Sequence, residues 1–141
     1  MKTTGRLAAI AIAAMMALAS GCGDGSTDTS TPEGLVRARV EKFNALMLEC
    51  DFEAAKQYAT QEGQKAISTF QSVLMGDIAA KIREQNKTTK LEILSVRIED
   101  GTKAVARVKM DSLGPKGERV VREQDELALL EDGEWRVAFK K

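Results

Sequence analysis

The chain has 141 residues, of which 43% are hydrophobic and 30% charged, so it fits one folded domain behind a short targeting segment and is too apolar to be disordered throughout. Residues 1–21 contain two basic and no acidic residues. The remainder has 19 basic and 21 acidic residues, a net charge of −2. Because nucleic-acid binding needs a clustered basic surface, we expect no nucleic-acid partner.

The first 20 residues have the three parts of a secretory signal. Lys2 and Arg6 precede an uncharged 14-residue run, Leu7 to Ser20, which ends in small residues. As a helix this run would reach about 21 Å, well short of the roughly 30 Å hydrocarbon core of a bilayer. The segment is therefore too short to span a membrane, and we exclude it from the fold.

Two cleavage sites compete at the end of this run. Ala17-Leu18-Ala19 suits ordinary signal peptidase, which would cut before Ser20 and leave Cys22 as a free thiol. The stretch LASGC, Leu18 to Cys22, resembles the bacterial lipobox, although its leucine stands four places before the cysteine and not the more usual three. That resemblance, which we favour, implies a lipoprotein signal peptide over residues 1–21 and a diacylglyceryl (palmitate-type) group on Cys22.

Residues 22–31 read as a flexible tether, because GDGSTDTST after Cys22 contains no apolar side chain. Two or more acyl chains, at about 0.8 kcal/mol per buried methylene, hold a protein at a membrane essentially permanently. The lipobox resemblance thus implies a domain outside the cytoplasm, anchored in the bacterial cell envelope. Gly23 stands where an aspartate would favour inner-membrane retention, so we expect the outer membrane if the host is Gram-negative.

The domain after the tether begins with three predicted helices. Thr31-Pro32-Glu33 is typical of a helix start, and a helix over 32–49 buries one stripe, formed by Val36, Val40, Phe43, Met47 and Cys50. A short helix over 52–59 follows, capped by Asp51. A third, over 63–85 with a bend at Gly76, has a stripe formed by Ile67, Phe70, Leu74, Ile78 and Ile82.

From Lys90 onwards the apolar period changes to two, which indicates strands over 91–99, 102–111, 118–131 and 134–140. Asp100-Gly101 predicts a type I′ hairpin turn, and Asp132-Gly133 makes the last turn. The predicted product is an α+β domain, 32–141, in which the helices pack on a curved four-stranded antiparallel sheet.

This order of elements resembles small bacterial lipoproteins of the nuclear transport factor 2-like superfamily, in a domain of unknown function. The similarity lies in LMLECDFEAAKQYAT, EGQKAI and the terminal LALLEDGEWRVAF, and it covers roughly residues 32 to 140. It implies a curved sheet wrapped around helices to form a cone with a pocket. It implies no activity, because that superfold hosts enzymes, binding modules and interaction domains.

Carboxylates are the strongest candidates for chemistry, because the chain has no histidine and only one tyrosine, Tyr58. Glu123 and Asp125 lie two apart on the third predicted strand and so on one face, which Leu127 and Leu129 continue. Either both acids point into the mouth of the cone, or they stand on a solvated strand end or beside a bulge. The second interpretation is the commoner one for such acids.

The aromatic residues Phe43, Tyr58, Phe70 and Trp135 are candidates for lining an apolar pocket, although aromatics at these periods belong more often to the core. No metal or cofactor is expected, because with Cys22 acylated only Cys50 and carboxylates remain as ligands. Without an imidazole to activate it, Cys50 is most simply a small core hydrophobe.

Three hypotheses follow. The first is a non-enzymatic, membrane-anchored envelope lipoprotein whose cone binds a partner protein or a small apolar ligand. The second is a small enzyme of the same superfold with Asp125 or Glu123 as base. The third is a homodimeric structural module that pairs through its open sheet face.

Overall fold

The computed structural model describes residues 28–139, in which four helices are followed by four strands. The elements are α1 (Pro32–Leu48), α2 (Phe52–Lys56), α3 (Gln61–Val73), α4 (Asp77–Asn86), β1 (Lys90–Ile98), β2 (Lys103–Leu113), β3 (Arg119–Glu131) and β4 (Glu134–Ala138). The strands form one antiparallel sheet in the order β1-β2-β3-β4. The predicted α+β class is confirmed, whereas the predicted signal peptide and most of the predicted tether lie outside the described residues.

Helix α1 starts as its sequence predicts. The Thr31 hydroxyl accepts a hydrogen bond from the backbone N–H of Gly34 at 3.1 Å, and Pro32 occupies the first turn, where its missing N–H costs nothing. Its apolar stripe is buried at Val36 and Val40, both 0% exposed. The chain then turns through Cys50, whose φ of 58° ends the helix.

The helix predicted over 63–85 with a bend at Gly76 is wrong as a single helix, because the structure has two helices there. Helix α3 ends at Val73, and α4 begins at Asp77 after Gly76 adopts a φ of 63°, a backbone angle that glycine accepts without strain. The predicted apolar stripe is divided between α3 and α4. Ile67 on α3 is fully buried, whereas Ile78 on α4 is 54% exposed.

The inner face of the sheet packs against α1. Every second residue of β2 from Ala104 to Val108 is fully buried there, and Ala128 on β3 continues this face. The buried side chains of β2 and β3 are Ala104, Ala106, Val108 and Ala128. Since three of the four are alanines, the centre of the sheet leaves room for the larger side chains of α1, such as Phe43.

The free edge of β4 is covered by the segment that joins α2 to α3. The backbone N–H of Thr60 donates to the carbonyl of Val137 at 2.9 Å, and the N–H of Val137 donates to the carbonyl of Tyr58 at 2.7 Å. This short parallel bridge satisfies backbone groups that an edge strand would otherwise leave open.

The two predicted turns differ. Asp132 and Gly133 have φ angles of 51° and 78°, as a type I′ turn requires. At the first hairpin only Gly101 has a positive φ, so the predicted type I′ turn is wrong there. Instead, the Asp100 carboxylate accepts hydrogen bonds from the backbone N–H and hydroxyl of Thr102 and forms a longer loop.

Within residues 28–139, no helix combines the length and the apolar character that crossing a membrane would require.

Candidate functional site

Glu123 and Asp125 stand on the outer face of the sheet, away from the helices. The Arg107 guanidinium donates to Asp125 Oδ1 at 3.1 Å and to Glu123 Oε2 at 3.2 Å, and all three side chains are more than 40% exposed. Arg107 lies between the buried residues Ala106 and Val108 on β2. Because successive side chains of a strand point to opposite faces, Arg107 points to the outer face of the sheet. The interpretation that places both acids inside the cone is therefore wrong, and the solvated-strand interpretation is correct.

The four aromatic candidates do not meet in one pocket. Trp135 is 6% exposed within the core, and Phe43 is 4% exposed and packs edge-on against Phe139, with 5.9 Å between ring centroids. Tyr58 is partly buried beneath the Arg39 guanidinium, 5.3 Å from the ring centroid. Phe70 is 48% exposed on α3, so its predicted place in a pocket is wrong.

Cys22, the predicted lipidation site, lies outside the described residues. Cys50 is partly buried, and its Sγ lies 4.0 Å from the carbonyl oxygen of Ala79 on α4. Within residues 28–139 no group of three potential metal-ligating side chains comes together. The sulfur of Cys50 therefore packs between α4 and the end of α1.

Glu126 is the carboxylate that faces the helices. It is paired with Ala106 in the sheet register, and its Oε2 accepts a hydrogen bond from Asn44 Nδ2 of α1 at 2.7 Å. Its Oε1 accepts from Gln124 Nε2 at 3.0 Å. Asn44 is itself only 6% exposed, and its Nδ2 also donates to the carbonyl of Val40 at 2.9 Å. An amide buried in the core thus holds the Glu126 carboxylate on the inner face.

Burial raises the pKa of the Glu126 carboxyl above its ordinary value, because a desolvated carboxylate is less stable than its neutral form. The hydrogen bonds from Asn44 and Gln124 act in the opposite direction and are the smaller effect. Within residues 28–139, no lysine or arginine forms an ion pair with Glu126. In this part of the chain, Glu126 is a desolvated acid whose hydrogen-bonding partners are neutral amides.

A cavity of about 230 Å³ adjoins this carboxylate, at the point where β4 ends and leaves β3 without a neighbour on that side. Two aromatic rings, those of Phe43 and Phe139, border it, together with aliphatic residues and the β3 segment that contains Glu126. Its lining residues are Phe43, Gln124, Asp125, Glu126, Leu127, Val137, Ala138 and Phe139. We call this cavity the Glu126 cleft.

A larger groove, of about 500 Å³, lies between α1, α4 and the start of β1. The polar groups at its rim already bond one another, since Arg83 Nε donates to the carbonyl of Glu49 at 3.1 Å and Asn86 Nδ2 to that of Leu48 at 2.9 Å. Through these bonds, side chains of α4 satisfy backbone carbonyls at the C-terminal end of α1. The Glu126 cleft is the better candidate site, because it combines aromatic walls with a desolvated acid that has free acceptor capacity.

Sequence reasoning missed Glu126 and Asn44. Asn44 lies four residues after Val40, so it falls on the same face of the first helix as the predicted buried stripe. A buried amide on that face needs a polar partner across the core. That requirement is the signal that could have indicated an inward-facing acid on the sheet.

No family model matches the sequence, and no curated protein matches it. Among solved structures, a Campylobacter jejuni protein named as an NTF2-like transpeptidase is similar with a TM-score of 0.50 and 15% identity, over 74% of this chain and 97% of that one. An NTF2-like protein of unknown function from Shewanella oneidensis gives 0.48 and 14%, over 73% and 88%. A Xanthomonas campestris protein named as a calcium/calmodulin-dependent protein kinase II association domain gives 0.48 and 14%, over 77% and 85%.

At these identities the similarity concerns the fold. The chain has the nuclear transport factor 2-like α+β fold that the sequence resemblance implied. The fold alone does not determine an activity.

Proposed function

We propose that this protein is a non-enzymatic lipoprotein of the bacterial cell envelope that binds a small, largely apolar molecule in the Glu126 cleft. The observation that supports this function best is the cleft itself, in which the rings of Phe43 and Phe139 adjoin a desolvated carboxylate. Small-molecule sites are typically apolar cavities with a few placed polar groups. A volume of about 230 Å³ suits a small ligand better than a folded protein partner.

The anchoring part of the proposal is supported by the sequence. A basic start, a short uncharged run and LASGC together favour acylation of Cys22, and the apolar-free segment after it would let the domain stand off the membrane. Acylation of Cys22 and ligand binding in the cleft are independent properties, and one experiment can test both.

Native mass spectrometry of the protein extracted gently from its own membranes tests the proposal. A chain that starts at Cys22 with added acyl mass would support the anchor, whereas a chain that starts at Ser20 without it would refute it. Additional non-covalent mass of a small molecule would support the binding function. The same spectrum reports the oligomeric mass, which checks the homodimer hypothesis.

A matched pair of variants locates the bound molecule. Phe139→Ala removes a ring that borders the cleft, and Phe70→Ala makes the same change at an exposed ring on α3. We expect the non-covalent mass to be lost from Phe139→Ala and retained by Phe70→Ala. A wild-type protein without bound mass, or equal retention by both variants, would contradict binding in the cleft.

An enzyme is the second candidate, and the raised pKa of Glu126 is the observation that favours it. A desolvated carboxylic acid near its pKa can exchange a proton with a bound substrate. The earlier candidates Glu123 and Asp125 are less suited to this role, because Arg107 holds both as ion pairs on the outer face. Conversion of the co-extracted molecule by wild type, lost in Glu126→Gln and kept in Glu123→Gln, whose side chain does not line the cleft, would favour the enzyme over the binding protein.

A further inference from the structure

We propose that the ligand of the Glu126 cleft is a small amine, bound as its ammonium ion with the charged head on the Glu126 carboxylate and the apolar body against Phe43 and Phe139. This inference rests on the proposed binding function and adds the chemical class of the ligand. It follows from the donors around the carboxylate, the walls of the cleft and the size of the cleft.

Among residues 28–139, no basic side chain forms an ion pair with the Glu126 carboxylate, which also has acceptor capacity left. A carboxylate offers about four lone-pair sites, and the donors that the structure places on it are the amides of Asn44 and Gln124, one on each oxygen. The acids that flank it on the outer face, Glu123 and Asp125, already share a basic partner, Arg107, which compensates one of their two negative charges. An ammonium group supplies both what Glu126 lacks, a charge of opposite sign and further hydrogen-bond donors.

The walls of the cleft suit the organic part of such a cation. Phe43 and Phe139 border the cavity, as do Leu127 and Val137, so the groups around the acid offer dispersion contacts to a hydrocarbon body. Aromatic rings also attract cations through their quadrupole. Anionic ligands, such as fatty acids and phosphates, are disfavoured because they would meet a carboxylate that no basic side chain of the described residues pairs with.

The size of the cleft limits the ligand. A volume of 230 Å³ corresponds to roughly seven or eight groups of water size, at about 30 Å³ each. A single ring with a short aminoalkyl arm fits this limit. Larger amphiphiles would extend beyond the cleft.

The test compares two probes of the same shape, 2-phenylethylammonium and the neutral 2-phenylethanol. Binding is measured by chemical-shift titration of the membrane-extracted protein in zwitterionic micelles, with three proteins in identical micelles: wild type, Glu126→Gln and Glu123→Gln. Glu123→Gln is the matched control, because it makes the same change of charge on the same strand but on the outer face. Partition of each probe into the micelle is common to all three proteins and cancels when the proteins are compared. The amine and the alcohol are compared by their affinities on free aqueous probe concentration.

We expect the ammonium probe to bind wild type and Glu123→Gln saturably, and to bind Glu126→Gln at least tenfold more weakly. We also expect the alcohol to bind wild type at least tenfold more weakly than the amine. Equal binding of the two probes, unchanged in Glu126→Gln, would overturn the amine inference and leave the apolar binding function standing. Absence of saturable binding for both probes to wild type would count against both.

A second variant guards against loss of folding. If Glu126→Gln does not show the Trp135 fluorescence of the folded protein, Glu126→Asp replaces it, since aspartate keeps the charge and withdraws it from the cleft by one methylene. The expected result is then a larger loss of affinity for the amine than for the alcohol. An equal loss for both probes would refute the role of the carboxylate.

Discussion

Replacing Asn44 by alanine should destabilise the fold more at pH 8 than at pH 4. Asn44 Nδ2 donates to Glu126 Oε2 at 2.7 Å from a side chain that is only 6% exposed, so water cannot readily take its place. At pH 8 the variant would leave an ionised, desolvated carboxylate with one donor fewer. At pH 4 the Glu126 carboxyl is protonated in the folded protein, because burial raises its pKa, and the lost bond is a neutral one.

The size of this difference follows from the two kinds of hydrogen bond. A bond to a charged group contributes about 1.5–3 kcal/mol to stability, and a neutral bond about 0.5–1.5 kcal/mol. We therefore expect Asn44→Ala to lower the free energy of unfolding by about 1 kcal/mol more at pH 8 than at pH 4. The sign agrees with linkage: the stability associated with Glu126 is fully present below its unfolded pKa and is lost as pH rises through the raised pKa of the folded state.

Urea unfolding followed by Trp135 fluorescence measures the effect, because Trp135 is 6% exposed and its emission will change on unfolding. Glu126→Gln is the control background: glutamine keeps an acceptor for Asn44 Nδ2 but cannot ionise, so the extra cost at pH 8 should vanish there. An equal loss of unfolding free energy at both pH values in wild type would contradict this prediction. So would a pH difference that persists with Gln at position 126.

Three further substitutions can be measured by the same urea unfolding. Ile67→Ala empties a site that is 0% exposed and should cost about 2–5 kcal/mol; a loss below 1 kcal/mol would mean that α3 is not packed as described. Thr60→Ala removes the hydroxyl that caps α3 from a residue 4% exposed and should cost about 0.5–2 kcal/mol, with Thr60→Ser restoring most of it. Arg107→Ala should shift the unfolding midpoint only slightly, and less at high salt, because its partners Glu123 and Asp125 are exposed; a large, salt-independent loss would contradict this.

The elements whose local sequence signals all agree could be predicted from the sequence. Helix α1 has a cap at Thr31, a proline in its first turn and a stripe at three- and four-residue spacing, and all three signals agree. Strand β2 alternates without exception from Ala104 to Val108. The break between α3 and α4 could be located at Gly76 but not recognised as a full interruption, since a glycine in a helical pattern is compatible with either.

The face of β3 could not be predicted from β3 alone. Leu127, Ala128, Leu129 and Leu130 are all apolar, so both alternating sets look suitable for the core, and the bulkier Leu127 and Leu129 kept an inward orientation of Glu123 and Asp125 open as an alternative. In the structure Ala128 is the fully buried residue of β3, beside the fully buried alanines of β2. The information that decides the face lies in β2, because Ala128 pairs with Ala104 and Glu126 with Ala106.

Strand β1 contains the same kind of information in its spacing. Leu91 and Ile93 are two apart, as are Val96 and Ile98, but Val96 comes three positions after Ile93, so a regular strand would place the two pairs on opposite faces. The structure resolves this conflict with a β-bulge between Ile93 and Ser95, and Arg37 of α1 donates to the carbonyl of Ile93. Ile93 pairs with Val108, which pairs with Gln124, so the bulge lies in the row of the sheet that borders the Glu126 cleft. Leu94 is the extra residue of this bulge and is 41% exposed, so the apolar residues on both sides of it, Ile93 and Val96, pack against the core.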